Sequence, residues 1–158
     1  MSSVAEQIAE TVRAALYNTI PAVGTRVERA RQDVVTREEC PAIVIELGGE
    51  NTDNAEADGE VEGNVLTLSV AIHVAAGTGT VWETAADEIV VAAHALIRGA
   101  TYPGNSNPPM RQGRTWDAAS GDAEPGICTL TYRFDYWNNA TDLSKIGRAS
   151  CRERVSSP

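Results

Sequence analysis

Leu66, Leu68, Val70, Ile72 and Val74 alternate with Thr67, Ser69, Ala71 and His73, the longest strict period-two pattern in the chain. Such alternation predicts a strand with one face on a core. A second run sets Cys128, Leu130, Tyr132, Phe134 and Tyr136 against Thr129, Thr131, Arg133 and Asp135. It predicts another one-sided strand, paired as a hairpin with a strand over 111–119 across a turn at 121–126. Residues 41–47, opening on Pro41 and carrying Ala42, Ile43, Val44, Ile45 and Leu47, are apolar on both faces. Their length and β-branched content favour a strand over a buried helix, and Gly48-Gly49 are expected to end it. A weaker strand signal lies at 25–28.

Two stretches change to helical spacing. Ser3-x-x-Glu6 is a capping-box pattern followed by Ile8, Val12, Ala15 and Leu16, with Pro21 and Gly24 expected to stop the helix near Ile20. Thr80-x-x-Glu83 repeats the pattern ahead of Trp82, Ala86, Ile89, Ala93, Leu96 and Ile97, and Arg98 and Gly99 mark the end. The predicted order is α-β-β-α-β-β. It suits an α+β two-layer sandwich, a predominantly antiparallel or mixed sheet with two helices on one face.

Composition narrows the partners. The 158 residues carry 13 Lys+Arg against 22 Asp+Glu, a net charge of −9. That balance disfavours a surface built to neutralise phosphates, so nucleic acid recognition is not expected. No apolar run reaches the roughly 18 residues of a membrane span, and the start lacks a secretory pattern. The closing run 146–155 resembles one reading frame of a sequencing adapter, so 146–158 is expected to be non-native. Without it the count is 10 basic against 21 acidic residues, net −11. Residues 1–137 are then expected to form the single domain and 138–158 a tail. Cys40 and Cys128 lie in no metal or redox motif and are expected as small hydrophobes in a reduced compartment.

Gly77-Thr78-Gly79 lies between a strand and a helix, but the third small residue of a dinucleotide fingerprint is replaced by Trp82. Asn54-x-Glu56-x-Asp58-Gly59 has the glycine of a calcium loop, yet its twelfth position is Val65 rather than a carboxylate. His73 and His94 stand outside any metal motif, and no nucleophile elbow or paired acid–base motif occurs. No catalytic residue, cofactor or metal ligand is therefore expected, and the chain is not expected to be an enzyme. Two charged features remain as candidate contacts. One is the polar stretch 50–63, expected as a solvated loop or a long mobile hairpin connection, with Glu50, Asp53, Glu56, Asp58, Glu60 and Glu62; the other is a basic cluster at Arg111 and Arg114.

Taken together, the N-terminal helix, the Pro-led strand 41–47, the acidic stretch, the strand at 66–74 and the helix containing Asp87-Glu88 form a distinctive order. The chain closes on Arg114-Thr115-Trp116-Asp117 and Thr131-x-Arg133-Phe134-Asp135-Tyr136. This resembles the lambda-type phage tail terminator (minor tail protein U) family over roughly 1–137. The resemblance implies a structural virion protein that caps the tail tube as a hexameric ring, ends its polymerisation and presents a surface for head joining. Its implied partners are copies of itself, the major tail tube protein and a head-completion or connector protein. Its implied place is the virion tail, after assembly in the host cytoplasm. Two alternatives stay open: another head–tail connector or neck protein, and a small divalent-metal-binding domain using the 50–62 carboxylates.

Overall fold

The computed structural model describes residues 1–53, 60–75, 81–104, 107–118 and 125–146. Among these residues two α-helices, α1 (Val4–Leu16) and α2 (Trp82–Gly99), and a single 3-10 turn at Arg37–Glu39 accompany six strands: β1 (Val27–Arg29), β2 (Ala42–Asp53), β3 (Val61–Val74), β4 (Met110–Asp117), β5 (Gly126–Asn139) and β6 (Asp142–Ile146). The strands form one sheet in the order β1-β2-β3-β5-β4, and β6 also pairs with β5. Among the described residues only the β1–β2 pair is parallel, so the sheet is mixed and the class is α+β.

The alternating residues do what their period requires. Leu66, Leu68, Val70, Ile72 and Val74 of β3, and Cys128, Leu130, Tyr132, Phe134 and Tyr136 of β5, are buried in one core. That core also takes Ile8, Val12 and Leu16 of α1 and Ala86, Ile89, Ala93 and Ile97 of α2. The doubly apolar strand β2 divides its residues. Ile43 and Ile45 join the helix side, while Ala42 and Val44 form a small second cluster with Val35 on the opposite face, where Cys40 packs. The segment leading into β2 thus covers part of a sheet face that alternation alone would leave to solvent.

Several boundaries differ from the sequence expectation. α1 ends at Leu16 rather than near Ile20, and turns follow in which Asn18 and Gly24 adopt left-handed backbone angles. Ser3 Oγ accepts the Glu6 N–H at 3.2 Å, forming one half of the expected box. The Glu6 carboxylate is instead gripped by Arg29 of β1 at 2.5 and 2.9 Å, which ties the first helix to the sheet. α2 is capped at Val81 without a side-chain bond, and Thr80 lies outside the described residues.

Gly48-Gly49 does not end β2. The register passes from Leu47↔Leu68 to Glu50↔Leu66 with one extra residue on β2, a bulge, and pairing resumes to Asp53↔Gly63. A side chain on Gly48 would meet the Thr67 carbonyl oxygen at 2.9 Å, so this crossing needs glycine. At the other end, β5 runs through position 137 without a break and β6 lies beyond it, so the sheet extends past the expected domain limit.

Candidate interaction surface

At its described ends the acidic stretch is strand, the paired base of a β2–β3 hairpin as one of the two sequence expectations has it, and not solvated loop. Glu50 stands opposite Leu66 and Asp53 opposite Gly63 in the β2–β3 ladder. Glu62 stands opposite Asn138 in the β3–β5 ladder, while Glu60 is exposed just before β3. Glu56 and Asp58 lie outside the described residues. Leu66 belongs to the helix-side core, so its partner Glu50 projects on that same face. There Tyr136 donates its hydroxyl proton to Glu50 Oε1. Burial, then the Glu50 carboxylate, push the Tyr136 phenol well above its ordinary pKa, so it stays a donor.

Beneath this pair a polar ladder closes the core. Thr52 Oγ1 donates to Asn64 Oδ1 at 3.0 Å, and Asn64 Nδ2 donates to Asn138 Oδ1. Asn64 and Asn138 are both buried, and this ladder satisfies them across three strands. Among the described residues, no group of three or more histidines, cysteines or carboxylates is placed to hold a metal ion.

The basic cluster lies on β4, whose residues are all exposed except half-buried Arg114. Arg111 and Arg114 stand opposite Tyr132 and Leu130, both core residues, and so project on the helix side too. Arg114 is not a free cation. Its Nη2 donates to Asp87 of α2 at 2.7 Å, and its guanidinium sits 4.0 Å from the centroid of the Trp116 ring. Trp116 in turn meets Trp82 edge-on at 5.7 Å. Asp87, Trp82 and Trp116 are not among the contact residues expected from the sequence. Their signal was present in part: Asp87 sits on the polar face of an amphipathic helix, but pairing it with Arg114 required knowing that β4 passes beside α2.

Arg111 is exposed and makes no ion pair among the described residues. Close by, His94 Nδ1 lies 2.8 Å from the Tyr132 hydroxyl, their rings stacked at 19°. Burial first, then the positive charges of Arg111 and Arg98, lower the His94 pKa. Burial drives the Tyr132 phenol up to about 12.

The opposite sheet face holds an open groove of about 500 Å³, lined among others by Arg31, Val35, Val44, His73, Asp117 and Ile127. His73 Nδ1 is buried without a partner among the described residues, and burial lowers its pKa. Arg31 is held by Glu28 and Glu39 of its own chain.

The acidic arm and basic cluster therefore occupy opposite edges of one sheet, with β3 and β5 between their strands. At the usual strand spacing that is about 14 Å. The structure does not bring them together within one chain.

No protein-family profile and no curated protein sequence matches this chain. Among solved structures, a chain from a virion of a native gene transfer agent particle has a similar fold, at a TM-score of 0.50 and 16% identity. The match covers 84% of this chain and 95% of that one. No helix among the described residues is long and apolar enough to cross a membrane.

Proposed function

We propose that this chain is a structural protein of a phage-like virion, and that it closes the end of a tail tube as a ring, halting polymerisation and offering a surface for head joining. The observation that carries this is the shared fold with a chain of a gene transfer agent virion, matched over almost all of that chain. The tail-terminator resemblance of the sequence supports the finer role. So does the surface itself, which presents charged strand edges rather than converging ionisable groups. On this reading the partners are further copies, the tube protein and a head-side connector, and the protein resides in the virion.

The test is tube assembly. Purified tube protein from the same virion is polymerised with increasing amounts of this chain, and lengths are measured by electron microscopy. Short tubes bearing a ring at one end are expected. Unchanged lengths at a molar excess would overturn the capping role, and binding to heads in place of tubes would move the protein to the connector side of the joint.

A further inference from the structure

We infer that neighbouring copies join head to tail by continuing the sheet, the outer edge of β4 in one copy meeting the outer edge of the 46–53 arm of β2 in the next. This rests on the ring reading above and names its interface.

Both edges are available. β1 covers β2 only at Ile43, Val44 and Ile45, and the Ala30 N–H to Ile45 carbonyl bond is the last on that side, so β2 from Glu46 onward has no outer neighbour among the described residues. β4 is the terminal strand at the other edge, with exposed Met110 and Trp116 and no proline. Exposed edges of this kind are templates for strand addition unless something blunts them. The Gln112 bulge blunts only part of β4, leaving Gly113–Asp117 in unbroken register with β5; Glu50–Asp53 is the matching unbroken run on β2.

Faces and charges agree. In a continued sheet the helix sides align, which places Arg111 and Arg114 on the face where Glu50 of the next copy projects. On that face the arm carries Glu50 and β4 carries Arg111, the arginine that Asp87 does not hold, while Glu46, opposite Ser69, lies on the other face. Pairing β4 with β4 would instead set arginine against arginine, and β2 with β2 glutamate against glutamate, both destabilising. A joint between two different edges is heterologous, the type that generates a ring when its rotation closes.

The decisive experiment uses the full chain with Cys40→Ser and Cys151→Ser, in the presence of tube protein. One variant adds Thr115→Cys, another Asn51→Cys. Both positions are exposed and lie on the sheet face away from the helices, opposite Thr129 and Val65 respectively. A short bismaleimide should link the two variants when they are mixed, link neither alone, and give a ladder ending at the ring when both cysteines are in one chain. Adding Arg111→Glu should reduce linkage about threefold or more at moderate salt. Linking of Thr115→Cys alone would overturn the inference in favour of a symmetric β4 joint. Rings seen by sedimentation without linkage of the mixture would overturn this interface while leaving the ring reading intact. A chain that stays monomeric throughout would overturn both.

Discussion

Gly126, at the start of β5, has no room for a side chain: a methyl there would lie 2.5 Å from the indole of Trp82. That indole is the support against which Trp116 and, through it, Arg114 are set. Gly126→Ala should force the ring aside and destabilise the fold by about 1–3 kcal/mol, the usual range for overpacking. Chemical denaturation of the two proteins checks this, with a broadened tryptophan signal expected in the variant. The two histidines give a second prediction. Burial lowers both pKa values below the ordinary 6.5, so the unfolded chain binds protons first as pH falls. Their contribution is present above pH 6.5 and is lost on acidification below it. Glu6, Glu39 and Asp142 are shifted down by their hydrogen-bond partners, Glu39 to about 2 by the Thr36 N–H and then Arg31. Their share is lost only below the ordinary carboxylate values, 4.5 for the two glutamates and 3.8 for Asp142. Melting temperature should therefore fall in two stages with pH. A His73→Gln/His94→Gln variant should flatten the upper stage and leave the lower one; an unchanged upper stage would refute the assignment.

At the scale of elements, β3 and β5 could be placed from the sequence because each buries one face, and a buried face imposes strict alternation. Neither β6 nor the far half of β2 has that constraint. Leu143 and Ile146 of β6 are more than 45% exposed, so the strand shows no pattern and reads as tail. Gly48-Gly49 reads as a stop because glycine disfavours strands, yet here the chain crosses a neighbouring carbonyl too closely for a side chain and continues. The candidate contacts suffered similarly. Their charges were visible, but whether a charge is free depends on long-range neighbours: Arg114 is taken by Asp87, and Glu50 receives Tyr136. β6 still adds a ladder to β5, and Gln7 of α1 donates to its Ser144 carbonyl at 3.2 Å. A chain ending at Asn139 should lose about 1–2 kcal/mol from these bonds. A chain ending at Ile146 should melt with the full-length protein. Equal melting temperatures for all three would show that β6 contributes nothing.

For the whole molecule, the proposed association of copies sets two electrostatic effects against each other. Each chain carries −9, so copies repel over the distance between their centres. The β4 edge and the β2 arm attract, but only at contact. Salt acts on the two ranges unequally, because the screening length is about 10 Å at 0.1 M and about 3 Å at 1 M. Repulsion between bodies tens of ångströms apart is removed first, while a charge pair in contact keeps part of its attraction. Assembly in the presence of tube protein should therefore strengthen as salt rises from a few millimolar to about 0.1–0.2 M and weaken again toward 1 M. Sedimentation velocity at fixed protein concentration measures this directly. Arg111→Glu should make each chain more acidic and remove an attractive contact at once, so its assembly should increase steadily with salt and lose the high-salt decline. A native protein that also rises steadily would mean that apolar burial holds the copies together and that the charged edges only tolerate one another. A steady fall would mean that net repulsion is negligible at the distances the proposed ring would impose.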